Sequence, residues 1–237
     1  MRNVVMNVVY ALTRNLYPYL KMSLNSLLEH NDVEKVYIYA EDDTFPYKLP
    51  DCCEVINVSN QRYFWKTSPN MKSIYSYMAM MRITYADKLP VDRVIQLDID
   101  TVVCDSLQPL WEMDLDGTWF AACHEYLGHH NPFNQQKYFN IGVAVFNLDQ
   151  IRKDGKLKYM ISMLNTRWLS CVEQDALNYF GNPEKVVELP IRWNECICTG
   201  FTENPAVVHY AGYRDWYNCN HEMKRWEYAA KYLDKGV

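Results

Sequence analysis

Apolar residues run from Val4 to Leu12 with Asn7 as the one polar break. A dense run of that length suits a strand buried on both faces. Pro18 then opens a helix in which Leu20, Leu24, Leu27 and Leu28 fall at helical spacing, and His30-Asn31-Asp32 ends it. A second strand is expected over Val36 to Ala40. After a loop with Pro46 and Pro50, a short third strand is expected around Glu54 to Val58. Residues 59–70 read as irregular, with Tyr63, Phe64 and Trp65 clustered among polar neighbours. Ile74, Tyr77, Met78, Met81 and Tyr85 form a helical stripe. Strands follow at Arg93 to Leu97, Trp119 to Cys123 and Tyr138 to Leu148, then a short helix over Glu173 to Phe180. Val186 to Leu189 and Ala206 to Tyr210 read as late strands, and Met223, Trp226, Ala230 and Leu233 mark a C-terminal helix. Strands alternating with helices predict the α/β class with a largely parallel sheet. No repeat or linker divides residues 1–237, so one domain is expected.

Composition narrows the functions. Lys plus Arg is 24 and Asp plus Glu is 29, a net charge of −5, which argues against a nucleic-acid partner. No run approaches the roughly 18 apolar residues that span a membrane. The first fifteen residues lack a small-residue cleavage site and read as a strand rather than a signal peptide, so a cytoplasmic protein is expected. The eight cysteines include the adjacent Cys52 and Cys53 but no CxxC, and are expected as buried, reduced thiols. A metal site of Cys196, Cys198 and His221 is the competing reading.

Candidate chemistry begins where an apolar strand ends, at Val94-Ile95-Gln96-Leu97-Asp98-Ile99-Asp100. The carboxyl ends of strands are where open α/β sheets bind ligands. If the chain stays extended, both acids point the same way. Two matched carboxylates are costly unless something positive sits between them, and oxygen ligands suit Mg²⁺ or Mn²⁺ beside a phosphate. The bland reading is a solvated turn with two acids. Asp114-Leu115-Asp116-Gly117-Thr118 matches the nucleophile motif of haloacid dehalogenase phosphatases. No buried strand precedes it, so Asp114 and Asp116 are expected to be loop acids.

Taken in order, the chain resembles glycosyltransferase family eight, which includes glycogenin and bacterial lipopolysaccharide glycosyltransferases. The resemblance spans roughly residues 4 to 217. It rests on ALTRNLYPYL at the start, Arg82 before LDID, PLWEMDLDGTWFAACHE after it, then YFNIGVAVFNLDQIR, EQDALN and VVHYAG. It implies a GT-A fold, with a Rossmann-like, mostly parallel central sheet flanked by helices. It also implies a nucleotide-sugar donor, most often UDP-linked, and a Mn²⁺-dependent transfer (Mg²⁺ is the other choice) that retains anomeric configuration. The acceptor would be a glycan, a lipopolysaccharide or a protein.

On the same resemblance, Asp98, Asp100 and His209 are the metal ligands. Ala11, Leu12, Thr13, Asn15 and Ile99 meet the nucleoside, and Gly212 and Arg214 the diphosphate. Arg82, Glu125, Asn140 and Glu173 contact the donor sugar, with Asn140 and Gly142 in the FN-x-G pattern, and Gln174 lies near the reacting anomeric carbon. The chemistry is coherent. Breaking a sugar–phosphate bond leaves negative charge on the diphosphate, which a divalent ion stabilises as it develops.

Several positions depart from the family pattern. Thr13 stands where an acid meets uracil, and Leu16 where a ring stacks on it. Asp215 replaces a lysine, with Arg214 beside it to supply the charge. Glu125 and Glu173 replace Asp, which suggests a donor other than the common hexoses, such as a pentose. The second function reading is therefore a nucleotide-sugar-binding protein without turnover. Tyr63, Phe64 and Trp65 offer either an acceptor wall or a hydrophobic anchor, and a self-glycosylating tyrosine is a further reading with 19 tyrosines in the chain.

Overall fold

The computed structural model describes residues 6–126, 132–181, 184–212 and 225–233. Its strands are β1 (Met6–Ala11), β2 (Val33–Ala40), β3 (Cys53–Asn57), β4 (Arg93–Leu97), β5 (Thr101–Val103), β6 (Phe120–His124), β7 (Phe139–Asn147), β8 (Val186–Leu189) and β9 (Val207–His209). Its helices are α1 (Tyr17–His30), α2 (Tyr77–Met81), α3 (Tyr85–Lys88), α4 (Gln108–Trp111), α5 (Leu148–Asp154), α6 (Leu157–Thr166), α7 (Val172–Gly181) and α8 (Trp226–Leu233).

Among the described residues the central sheet has the order β3-β2-β1-β4-β7-β6-β8, and β5 pairs with β9 in a separate ladder. The β1–β2, β2–β3, β1–β4 and β6–β8 pairings are parallel. β7 runs antiparallel to both of its neighbours.

The period of two along β1 explains the layering. Val8 and Tyr10 face one apolar cluster, with Leu20 and Leu24 of α1 and Tyr232 of α8. Val9 and Ala11 face the other, with Met80 of α2, Leu164 of α6 and Ala176 of α7. A strand covered on both sides has to be apolar throughout, as this one is. Each fully buried Leu contributes roughly 1.5–3 kcal/mol to holding the layers together.

The stripe expected from Ile74 to Tyr85 is not one helix. Ser76 is extended and starts α2, a 3-10 turn over Arg82–Thr84 follows, and α3 begins at Tyr85. The Thr84 hydroxyl donates to the Met81 carbonyl, 2.6 Å, within that turn. Ile74 lies ahead of the helix and is 90 % exposed. The strand expected over Glu54 to Val58 is Cys53–Asn57. The helices α5 and α6 carry no expectation from the pattern. Asn147 caps α5 through Gln150 N–H, and Gly155 ends it in the left-handed region at φ 63°.

Candidate active site

Asp98 follows directly on β4, and its N–H donates to the Gly142 carbonyl of β7, 2.7 Å. The chain does not stay extended through Asp100. It turns over residues 99–100, held by the Thr101 hydroxyl donating to the Asp98 carbonyl, 2.6 Å. The two acids converge for another reason. β5 pairs antiparallel with β9 and sets Thr101 opposite His209, while Tyr210 N–H donates to the Asp100 carbonyl, 2.8 Å. His209 Nε2 thus lies 3.6 Å from Asp98 Oδ2 and 3.4 Å from Asp100 Oδ1. One ligand atom from each of the three falls within 4.8 Å of the others.

Burial works to lower the His209 pKa, but the charge and hydrogen bond of Asp100 outweigh it and hold it well above the usual imidazole range. Burial likewise would raise Asp100, and His209 overrides it, so that carboxyl is lowered. Asp98 is raised, mainly by burial, with Arg82 opposing. The far side of the imidazole is fixed, since Nδ1 is 2.8 Å from Asn194 Oδ1. An amide oxygen only accepts, so Nδ1 donates to it, and a divalent cation would bind Nε2 in place of the proton that the two acids favour there. The donor set, two carboxylates and one oriented imidazole, fits a divalent metal.

Asn194 starts a relay. Its Nδ2 donates to Asn140 Oδ1, 2.9 Å, and Asn140 Nδ2 donates to Glu125 Oε2, 3.3 Å. Gln174 Nε2 donates to the same Glu125 oxygen, 3.2 Å, and to Tyr138 Oη, 3.1 Å, while its Oε1 accepts from Ile141 N–H, 3.1 Å. Tyr138 in turn donates to Asp175, 2.5 Å. Arg82 joins the two halves of the site. Nη2 is 2.7 Å from Asp98 and Nη1 is 3.2 Å from Glu173. Burial pushes the Glu173 carboxyl up to about 7, with Arg82 opposing. Among the described residues, Arg82 Nε and Glu173 Oε2 are buried without a hydrogen-bond partner.

A cavity of about 300 Å³ takes in Glu125, Asn140, Glu173, Gln174, His209 and Gly212. A second, of about 640 Å³, takes in Ala11, Leu12, Thr13, Asn15, Leu16 and Ile99. The two share Tyr75, Ala79, Arg82, Asp98 and Asp100, so the two acids stand where they meet, with His209 on the side of the smaller one. Gly212 has φ +84°, and a Cβ there would lie 2.7 Å from Ile197 Cδ1. Arg214, Asp215 and His221 lie outside the described residues.

Other expectations resolve as follows. Phe64 is buried in the core, the Tyr63 hydroxyl binds Asp87, and neither these two nor the exposed Trp65 borders either cavity. Asp114 and Asp116 are exposed in a turn after α4 rather than at the end of a strand. Among the described residues the three-ligand group is Asp98, Asp100 and His209, and it includes neither Cys196 nor Cys198. No described helix is long and apolar enough to cross a membrane. Asn194 and Tyr75 escape pattern reading because they sit outside any periodic face. Gln96 is more legible as a polar residue inside an apolar strand. It donates to Asp98 Oδ1, 2.9 Å, and accepts from Tyr85, 2.7 Å.

A family model described as glycosyl transferase family 8 matches residues 7–229. General stress protein A of Bacillus subtilis (strain 168) is 29% identical over 171 residues, which is 60% of this chain and 59% of that protein. Glycosyltransferase GlyD of Streptococcus pneumoniae serotype 4 (strain ATCC BAA-334 / TIGR4) is 26% identical over 242 residues, 87% of this chain and 28% of that protein. The chain thus spans less than two thirds of the length of these relatives. Among solved structures, galactosyltransferase LgtC in complex with donor and acceptor sugar analogues is similar at a TM-score of 0.70 and 19% identity, over 96% of this chain and 95% of that one. The expected GT-A fold is the fold present.

Proposed function

Because the chain belongs to glycosyl transferase family 8, we propose that it moves a sugar from a UDP-linked donor to a glycan, lipopolysaccharide or protein acceptor, with retention of configuration and a divalent cation. The observation that best supports this is the placement of Asp98 and Asp100, with His209 beside them, where a larger and a smaller cavity meet. The nucleoside would take the larger one and the sugar the smaller, with the diphosphate crossing the junction. Asp98, Asp100 and His209 would hold the cation, and its imidazole-containing donor set favours Mn²⁺ over Mg²⁺. When bound, such an ion stabilises negative charge on the leaving diphosphate.

The chain's own groups do the rest. Arg82 neutralises Asp98 and Glu173 from inside the site, and both Arg82 and Glu173 border the smaller cavity, where they would meet sugar hydroxyls. Glu125 and Asn140 hold further hydroxyls. Gln174 is locked by Ile141, Glu125 and Tyr138. Its amide dipole supports an oxocarbenium-like centre, since an amide is too weak a base to remove a proton. The two glutamates favour a pentose over the common hexoses, and the setting is the cytoplasm.

Thr13 and Leu16 in the nucleoside cavity favour the second reading, binding without turnover. A panel of UDP-hexoses and UDP-pentoses, with and without Mn²⁺, tests both. Thermal shift reports binding and mass spectrometry reports released nucleotide. Turnover that needs Mn²⁺ and disappears in Asp100→Asn supports the transferase. Binding without release supports the second reading, and no binding of any donor overturns both.

A further inference from the structure

Resting on the nucleotide-sugar reading, we propose that Glu41 and Tyr77 are the base-recognition pair of the larger cavity, selecting a base with a ring N–H donor, uracil or guanine. The resemblance places an acid at residue 13 and a ring at residue 16, where this chain has Thr13 and Leu16. Thr13 does not replace the acid, since its hydroxyl is turned onto Asn15 Oδ1, 2.6 Å.

The topology brings an acid to the same place from another strand. β1 and β2 are parallel neighbours with Ala11 opposite Tyr39, and Leu12 N–H continues the ladder to the Tyr39 carbonyl, 3.1 Å. The residues just past the two strand ends therefore lie side by side. Glu41 is one of them, and its Oε2 accepts from Arg14 N–H, 2.8 Å. Its own N–H donates to the buried Tyr17 hydroxyl, 2.8 Å, which fixes the backbone beneath it.

A ring arrives from α2. Tyr77 is the first residue of that helix and borders the same cavity as Glu41. Burial and the nearby Glu41 carboxylate push the phenol up to about 12, so it stays protonated beside that acid. A carboxylate offers about four acceptor positions. Arg14 N–H takes one, which leaves capacity for a base edge. Uracil presents one ring N–H and guanine a ring N–H with an adjacent amino group. Cytosine and adenine carry a lone pair on the corresponding ring nitrogen, so they offer the carboxylate only an exocyclic amino group and bind less tightly. The Tyr77 ring and the Leu12 and Leu16 side chains supply apolar surface for the base, as stacking platforms do.

The test is calorimetry with Mn²⁺ present, using UDP, GDP, CDP, ADP and N3-methyl-UDP, on the wild type, Glu41→Gln and Tyr77→Ala. The wild type should bind UDP or GDP about ten- to a hundredfold more tightly than CDP and ADP, the range of a charge-assisted hydrogen bond. If uracil is the base, N3-methyl-UDP should fall with CDP; if guanine, GDP should lead. Glu41→Gln can accept from Arg14 and can pair with either kind of base edge, so discrimination should shrink to about threefold or less. Its Mn²⁺ affinity without nucleotide should be unchanged. Tyr77→Ala should weaken all the nucleotides alike. Equal wild-type binding of all bases, or an unchanged ranking in Glu41→Gln, overturns the pair. Failure of every nucleotide to bind the wild type overturns the nucleotide-sugar reading itself, and the pair with it.

Discussion

The imidazole of His209 fills the space that a side chain on residue 142 would need. A Cβ at Gly142 would lie 2.1 Å from His209 Cε1 and 2.7 Å from Nδ1. The glycine therefore shapes the candidate metal site without offering a ligand. Gly142→Ala should displace the ring, cut Mn²⁺ affinity about a hundredfold or more, and destabilise the fold by about 1–3 kcal/mol. Calorimetric titration with Mn²⁺ and urea denaturation check the two effects separately.

Asn194 sets which His209 nitrogen faces the acids. Asn194→Ala should weaken Mn²⁺ binding about ten- to a hundredfold, the usual cost of losing such an orienting partner. Asn194→Asp still accepts from Nδ1–H and should restore affinity to within several-fold of the wild type. It no longer donates to Asn140, so any remaining loss of turnover at saturating Mn²⁺ reports the relay to Glu125.

Arg82 is buried between two acids. Arg82→Met strands both, at a cost of about 3–5 kcal/mol in metal-free protein. Saturating Mn²⁺ should recover part of that by neutralising Asp98, and leave Glu173 uncompensated. Denaturation curves with and without Mn²⁺ provide the comparison.

Glu173 makes stability fall as pH rises. Its folded pKa of about 7 lies above the ordinary value of 4.5, so the native state holds a proton that the unfolded chain releases. The cost is absent below about pH 4.5, grows as pH rises towards 7, and is complete above that, at about 3 kcal/mol or less. Glu173→Gln should therefore raise the melting temperature at pH 8 more than at pH 5, while lowering turnover. Melting curves at the two pH values check the sign.

Much of this was legible in the residues. The strand Arg93 to Leu97, the paired acids after it and the VVH segment ending at His209 could be placed because apolar runs mark buried strands and chemistry gathers at their ends. The helices over residues 148–166 were not, since the polar run Arg152 to Lys156 breaks the apolar stripe between Ile151 and Leu157. The reason for the acids' convergence was also mistaken, because it lies in the pairing of β5 with β9 and pairing leaves no local signature. Asn194 had the same problem, lying in an irregular stretch where only the tertiary fold brings it to the imidazole. The exchange of Thr13 and Leu16 for Glu41 and Tyr77 could not be seen along the chain, since neighbouring strand ends are remote in sequence.

The ladder between Thr101–Val103 and Val207–His209 joins stretches about a hundred positions apart. Closure over that distance follows the formation of local helices and of neighbouring strand pairs. Where that ladder frays, Asp100 loses the Tyr210 N–H that holds it and parts from the imidazole, so the three-ligand cluster opens. The candidate metal cluster is therefore a product of tertiary closure rather than of either stretch alone, and it exists only where the two distant segments are joined.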